Sequence, residues 1–184
     1  MRLAEKIQVI LLACGILCAV FVANILTGGW LNHFGIHPRQ PSSLLNILVA
    51  PFLHANIGHL LNNLLGLSLF SFLCLLRGFK FYIWNSVFII LVSGILVWLF
   101  ARGANHLGAS GWIFGLWSLS IAQAWFERSL ASITIALFVV IFYGGMIFGV
   151  LPSNPFVSFE SHLFGALAGV LAAAVGHKKL GRGR

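Results

Sequence analysis

The chain contains no aspartate, and Glu5, Glu127 and Glu160 are its only acids. Charge of either sign is scarce: 8% of the 184 residues are charged, against about 25% in an ordinary soluble domain. These shortages exclude whole chemistries. Proteolysis by paired aspartates has no residues to use. The zinc-protease pattern His-Glu-x-x-His is missing as well, and no metal site is expected. Cysteine is nearly as rare. Cys14, Cys18 and Cys74 all lie inside apolar runs, where they read as small packing residues rather than as a disulfide framework.

What is abundant is apolar surface. Hydrophobic residues make up 60% of the chain, and the mean hydropathy is +1.01. This composition is that of an all-α, multi-pass integral membrane protein lying almost wholly in the lipid bilayer, with one compact domain over residues 1–184. A formal net charge of +8 does not argue for nucleic acid. The basic residues are dispersed among apolar stretches and read as topology signals. A membrane helix needs about 20 mostly apolar residues. Six such spans are expected, at roughly 7–26, 54–76, 81–101, 109–126, 130–151 and 160–177. The N-terminus has the basic start and apolar run of a secretory leader. Its run is long for that role and no small-x-small cleavage site follows, so it reads as a retained first span. The long connection at about 27–53 carries Trp30, His33, His37, Pro38 and Pro41 and is expected to lie against the membrane surface.

The basic residues orient these spans. With the N-terminus in the cytoplasm, Arg2, Lys6, Arg77, Lys80, Arg128, Lys178, Lys179, Arg182 and Arg184 fall inside, and only Arg39 and Arg102 outside. That asymmetry satisfies the positive-inside rule, and it places both termini in the cytoplasm. Spans two, four and six then all run inward, so their first residues share one depth. Those starts read "HANIGHLLNN", "GASG" and "SHLFGALAG". Polar residues in membrane helices are costly and usually face a bundle interior or a wet cavity. Three polar helix starts at one depth therefore mark a candidate site.

The shortage of acids limits what that site can do. Glu5 and Glu127 lie on the inner side, and Glu160, two residues before His162, does not face it along a helix. A reacting Ser110 must therefore work with a histidine alone. A serine hydroxyl needs an adjacent base, and His162 suits that role because imidazole titrates near working pH. His59 and Asn63 stand four residues apart on one helix face, and both can donate hydrogen bonds to a developing oxyanion. The Ser110 backbone N–H, at a helix start, offers a further donor. Gly111 and Gly115, and Gly165 and Gly169, form small-xxx-small faces that let helix backbones approach closely. A plainer account stands beside each of these. Ser110 alone reads as a packing residue or a helix cap, and His162 as a structural histidine. For His59 and Asn63 a structural polar pair is the rival account, and both roles can hold at once. His54, on the expected second span, reads as a residue bonding loop backbone. His33, His37, His106 and His177 read as interfacial or loop residues, and Phe114 as cavity wall.

The three motifs together resemble those of the rhomboid intramembrane serine proteases. The pattern His-x4-His-x3-Asn falls on His54, His59 and Asn63. Gly-x-Ser-Gly falls on Gly108, Ser110 and Gly111, and His-x2-Gly-x3-Gly on His162, Gly165 and Gly169. The resemblance implies a six-transmembrane-helix bundle of the bacterial form, with a water-accessible cavity opening outward. It implies Ser110 as nucleophile and His162 as general base, with His59, Asn63 and the Ser110 amide stabilising the oxyanion. It further implies no cofactor, transmembrane proteins as substrates cleaved near the outer end of their span, and a place in the bacterial inner membrane. An inactive rhomboid-like binder of membrane helices is the alternative. Two departures stand out. Phe114 occupies the position where many bacterial members carry a tyrosine stacked on the histidine, and the Trp-Arg pair common in the first loop is missing, the region reading "LNILVAPFLH".

Overall fold

The computed structural model describes residues 1–152 and 157–181, and Arg182 and Arg184 of the inner basic set lie outside them. Among the described residues the chain forms α1 (Leu3–Leu26), α2 (Ile57–Leu75), α3 (Phe79–Phe100), α4 (Ser110–Glu127), α5 (Leu130–Tyr143) and α6 (Phe159–Gly181). Local chemistry sets several of these starts. The Glu5 carboxylate accepts from the Arg2 backbone N–H at 3.0 Å and from Arg2 Nε at 2.7 Å, which opens α1. Ser129 accepts from the Ser132 N–H at 3.2 Å to open α5. Asn56 accepts from the His59 N–H at 2.8 Å to open α2, as a side-chain oxygen at a helix N-cap does. That cap moves His54 off the second helix, where the sequence placed it, into the extended stretch before α2. The fifth span also departs from expectation. Regular helix stops at Tyr143, and a 3-10 turn, Gly144–Val150, completes the segment. Gly144 and Gly145 are poor helix formers at that junction.

Among the described residues, five helical segments are long and apolar enough to cross a membrane: Leu3–Leu26, Ile57–Leu75, Phe79–Phe100, Leu130–Val150 and Phe159–His177. The helix α4 is the exception, and its position explains why. Every residue from Gly111 to Ser120 is buried, and α4 touches α2, α3, α5 and α6. Surrounded by protein, it can carry Ser118, Ser120 and Gln123 without presenting them to lipid. Ser118 Oγ donates to the Ala166 carbonyl of α6 at 2.7 Å.

The α4–α6 contact is made backbone to backbone. A Cβ on Gly115 would stand 3.0 Å from the Gly165 carbonyl oxygen, and Cβ atoms on Gly165 and Gly169 would overlap the Gly111 and Gly115 carbonyls. The connection from α1 to α2 is a chain of four 3-10 turns pinned to α3. Arg39, with φ 62°, sends Nη1 to the Ala101 carbonyl at 2.8 Å, and Trp98 Nε1 donates to the Gln40 carbonyl at 3.0 Å. Arg39 thus satisfies an otherwise unpartnered carbonyl past the end of α3. Leu45 and Leu48, 77% and 56% exposed, lie on the outer surface of this connection. At the opposite end Arg77 pairs with Glu127 and donates to Ser132 Oγ at 2.8 Å, tying α2, α4 and α5 together.

Candidate active site

Ser110 is the first residue inside α4. The cap position belongs to Ala109, which has no side-chain oxygen, so no side chain caps this helix start. The hydroxyl of Ser110 therefore does no capping, and the first N–H groups of α4 keep their donor capacity. Gly108, two residues earlier, has φ +113°. A Cβ there would come within 2.5 Å of His59 Nε2. Glycine at this point permits both the left-handed turn into α4 and the approach of the imidazole to it.

His162 lies in the first turn of α6 and is held from two sides. Its Nδ1 is 2.9 Å from the Gly149 carbonyl oxygen. A carbonyl only accepts, so this contact assigns the proton to Nδ1 and leaves the Nε2 lone pair available. The ring is stacked on Phe114, with centroids 4.1 Å apart and planes at 6°. Gly149 also makes room for that stack: a Cβ there would meet Phe114 Cζ at 2.7 Å. Phenylalanine supplies the stacking face without a hydroxyl. Glu160 is turned away, its carboxylate 3.4 Å from Arg102 Nε.

One cavity of about 900 Å³ is lined by Ser110, His162, His59, Asn63, Gly66 and Phe114, among others. Asn63 is buried, and its Nδ2 has no partner among the described residues. A buried, unspent donor beside a cavity is unusual and calls for an explanation. Among the described residues no hydrogen bond joins the Ser110 hydroxyl to His162. Catalytic hydrogen bonds are often long before substrate binds.

His54 stands apart from this cavity. It is fully buried, its Nδ1 lies 3.3 Å from the Phe52 carbonyl, and its ring meets that of His59 edge-on at 5.0 Å. Burial first, and then the neighbouring His59, push its pKa down to about 4, so it is neutral at pH 7. His106 lies in the loop between α3 and α4, as expected, but it is 2% exposed. Its backbone pairs with Ile36 in both directions, at 2.8 and 2.9 Å, and burial lowers its pKa. Gly149 and His106 were not legible as site residues, because their partners lie 13 and 52 residues away in sequence.

The comparisons show the family of the chain. The Rhomboid domain profile matches residues 41–179. An uncharacterized protein of Mycobacterium tuberculosis is 35% identical over 173 residues, covering 89% of this chain and 72% of that protein. One from Mycobacterium leprae is 34% identical over 173 residues, covering 89% and 68%. A protein of Acanthamoeba polyphaga mimivirus, described as a candidate rhomboid, is 28% identical over 135 residues, covering 70% and 72%.

Proposed function

The chain belongs to the rhomboid family, and from that premise we propose that it is an intramembrane serine endopeptidase. It hydrolyses peptide bonds of transmembrane proteins near the outer membrane surface. In this reading residues 1–184 form one domain of six crossings, with α4 as the enclosed one. Both termini face the cytoplasm, the membrane is the bacterial inner membrane, and no cofactor takes part.

The observation that carries the reading is the convergence on one cavity of Ser110, a histidine with its Nδ1 proton spent on a carbonyl, and an unpartnered Asn63 amide. Ser110 Oγ attacks the scissile carbonyl while His162 Nε2 takes its proton. The Gly149 carbonyl fills the orienting role that a carboxylate has in a triad. As the carbonyl oxygen becomes an oxyanion, the Ser110 N–H, Asn63 Nδ2 and the His59 ring donate to it. Collapse breaks the C–N bond, and His162 returns its proton to the leaving amine. Water then enters through the cavity, loses a proton to His162 and attacks the acyl-serine, releasing the second product and restoring Ser110.

The purified protein in liposomes, given a labelled transmembrane substrate, tests this. Wild type cleaves, while Ser110→Ala and His162→Ala lose at least about 10³-fold. Cleavage that survives Ser110→Ala sinks the dyad. The open contact between Ser110 and His162 favours a second reading, an inactive member of the family that binds membrane helices. Failure of a fluorophosphonate to label Ser110 in folded protein selects it.

A further inference from the structure

We propose that His106 is a positioning residue that sets the distance between Ser110 and His162, acting through Ser158. This deepens the catalytic reading above and rests on it. Its basis is a side-chain link between the two approaches to the site. His106 stands four residues before Ser110, and Ser158 four residues before His162. His106 Nδ1 and Ser158 Oγ are 2.6 Å apart.

The bonding directions are fixed by chemistry. His106 Nε2 lies 3.0 Å from the Arg102 carbonyl oxygen, which only accepts, so Nε2 carries the proton. Nδ1 is then an acceptor, and the Ser158 hydroxyl donates to it. Ser158 Oγ in turn accepts the Ser161 N–H at 3.2 Å, the first bond of α6, and faces Ser161 Oγ at 2.7 Å. The Ser161 hydroxyl completes the chain by donating to Ser158. Every polar atom in the run is matched, with His106 buried and the two serines half-buried, and a matched network holds one geometry. Burial favours the neutral imidazole that this pattern requires. The hydrogen bond to the Arg102 carbonyl and then the Glu160 charge oppose that effect, while the Arg102 and His37 charges add to it.

His106 is also anchored independently of α6, by its two backbone bonds to Ile36. Between this fixed point and Ser110 stands Gly108, whose backbone sits at φ +113°. The Gly108 N–H donates to the Ala50 carbonyl at 2.9 Å, so the approach to α4 is anchored on one side there and tied to α6 through Ser158 on the other. The close approach of Gly111 to the Ser161 carbonyl also holds these first turns together, and the His106–Ser158 bond adds a directional tie between the segments that lead into them.

Fluorophosphonate labelling of Ser110, followed with thermal melting on the full chain in detergent, tests the proposal. Displacement by about 1 Å at a reacting centre costs up to about 10²-fold, so His106→Ala is expected to slow labelling by about 10- to 100-fold. In substrate cleavage the loss falls on kcat and leaves KM unchanged. Two conservative variants separate the bonds. His106→Asn keeps an acceptor for Ser158 and recovers most of the rate, whereas His106→Gln keeps a donor for the Arg102 carbonyl and recovers little. Ser158→Ala loses about as much as His106→Ala, and the double variant loses no more than the worse single one. Labelling of His106→Ala at the wild-type rate overturns the proposal while leaving the dyad intact. So do Asn and Gln variants equal in rate to each other, or single losses that multiply. A wild type that does not label removes the catalytic reading and this proposal with it.

Discussion

The helices α4 and α5 follow one another in the chain and differ in almost every respect. In α4 every residue from Gly111 to Ser120 is buried, yet it is the helix that falls outside the set apolar enough to cross a membrane. In α5 apolar side chains dominate, and Leu130, Ile141 and Phe142 are 81%, 71% and 68% exposed. Burial and apolarity run in opposite directions here. In lipid an exposed side chain must be apolar, whereas a buried one must only be partnered. The helix that misses the apolar criterion is therefore the central one, and a nucleophile can be carried where lipid cannot reach.

Substitutions in the two helices sharpen that contrast. The largest effect belongs to the start of α4: Ser110→Ala abolishes probe labelling while leaving the melting curve in place. Next come the glycines that bring α6 onto α4. A side chain at Gly165 or Gly169 would overlap backbone carbonyls, and overpacking costs about 1–3 kcal/mol or more. Gly169→Leu should lower the melting temperature and the cleavage rate together. Retention of both in Gly165→Leu and Gly169→Leu would refute the close α4–α6 packing as a requirement.

A smaller effect attaches to the ring under His162. Phe114→Leu removes a stacked face and is expected to cost about 10-fold in kcat, since a stacked pair contributes roughly 0.5–1.5 kcal/mol beyond burial. An unchanged rate would show that the Gly149 carbonyl alone holds the imidazole. Acid acts on His54. Its folded pKa is about 4 against an ordinary value of 6.5, so the unfolded chain binds the proton more readily. The stability it contributes is complete above about pH 6.5 and is lost as pH falls toward 4. Melting temperatures measured from pH 7 to pH 4.5 should fall less steeply for His54→Gln than for wild type, and parallel slopes would speak against His54 as the acid-sensitive group. The smallest effect is on the lipid-facing side. Ile141→Leu in α5 should change stability by no more than about 0.5 kcal/mol and leave labelling unaltered.

Much of this could be read without coordinates. The helices came from apolar length, and their bounds are within a few residues of the expected spans. The exceptions have local causes: Asn56 delays α2 past His54, and the Gly144–Gly145 pair ends α5 early. The apolar criterion that found the other spans is weakest for α4, because enclosure relaxes the demand for apolar residues. Ser110, His162, His59 and Asn63 stood out because polar residues at helix starts are costly in a membrane and therefore conspicuous. The missing acid was legible by simple count.

By itself, then, the sequence determined the class of protein, the approximate spans and the residue types from which a site could be made. Those properties depend on composition and on spacing within a single helix. The tertiary structure decided how the site is held. The Gly149 carbonyl meets His162 from another segment, Phe114 stacks on it from another helix, and the His106–Ser158 bond spans two loops. Such contacts join residues far apart in the chain and leave no periodic trace, so only the packing of the helices reveals them.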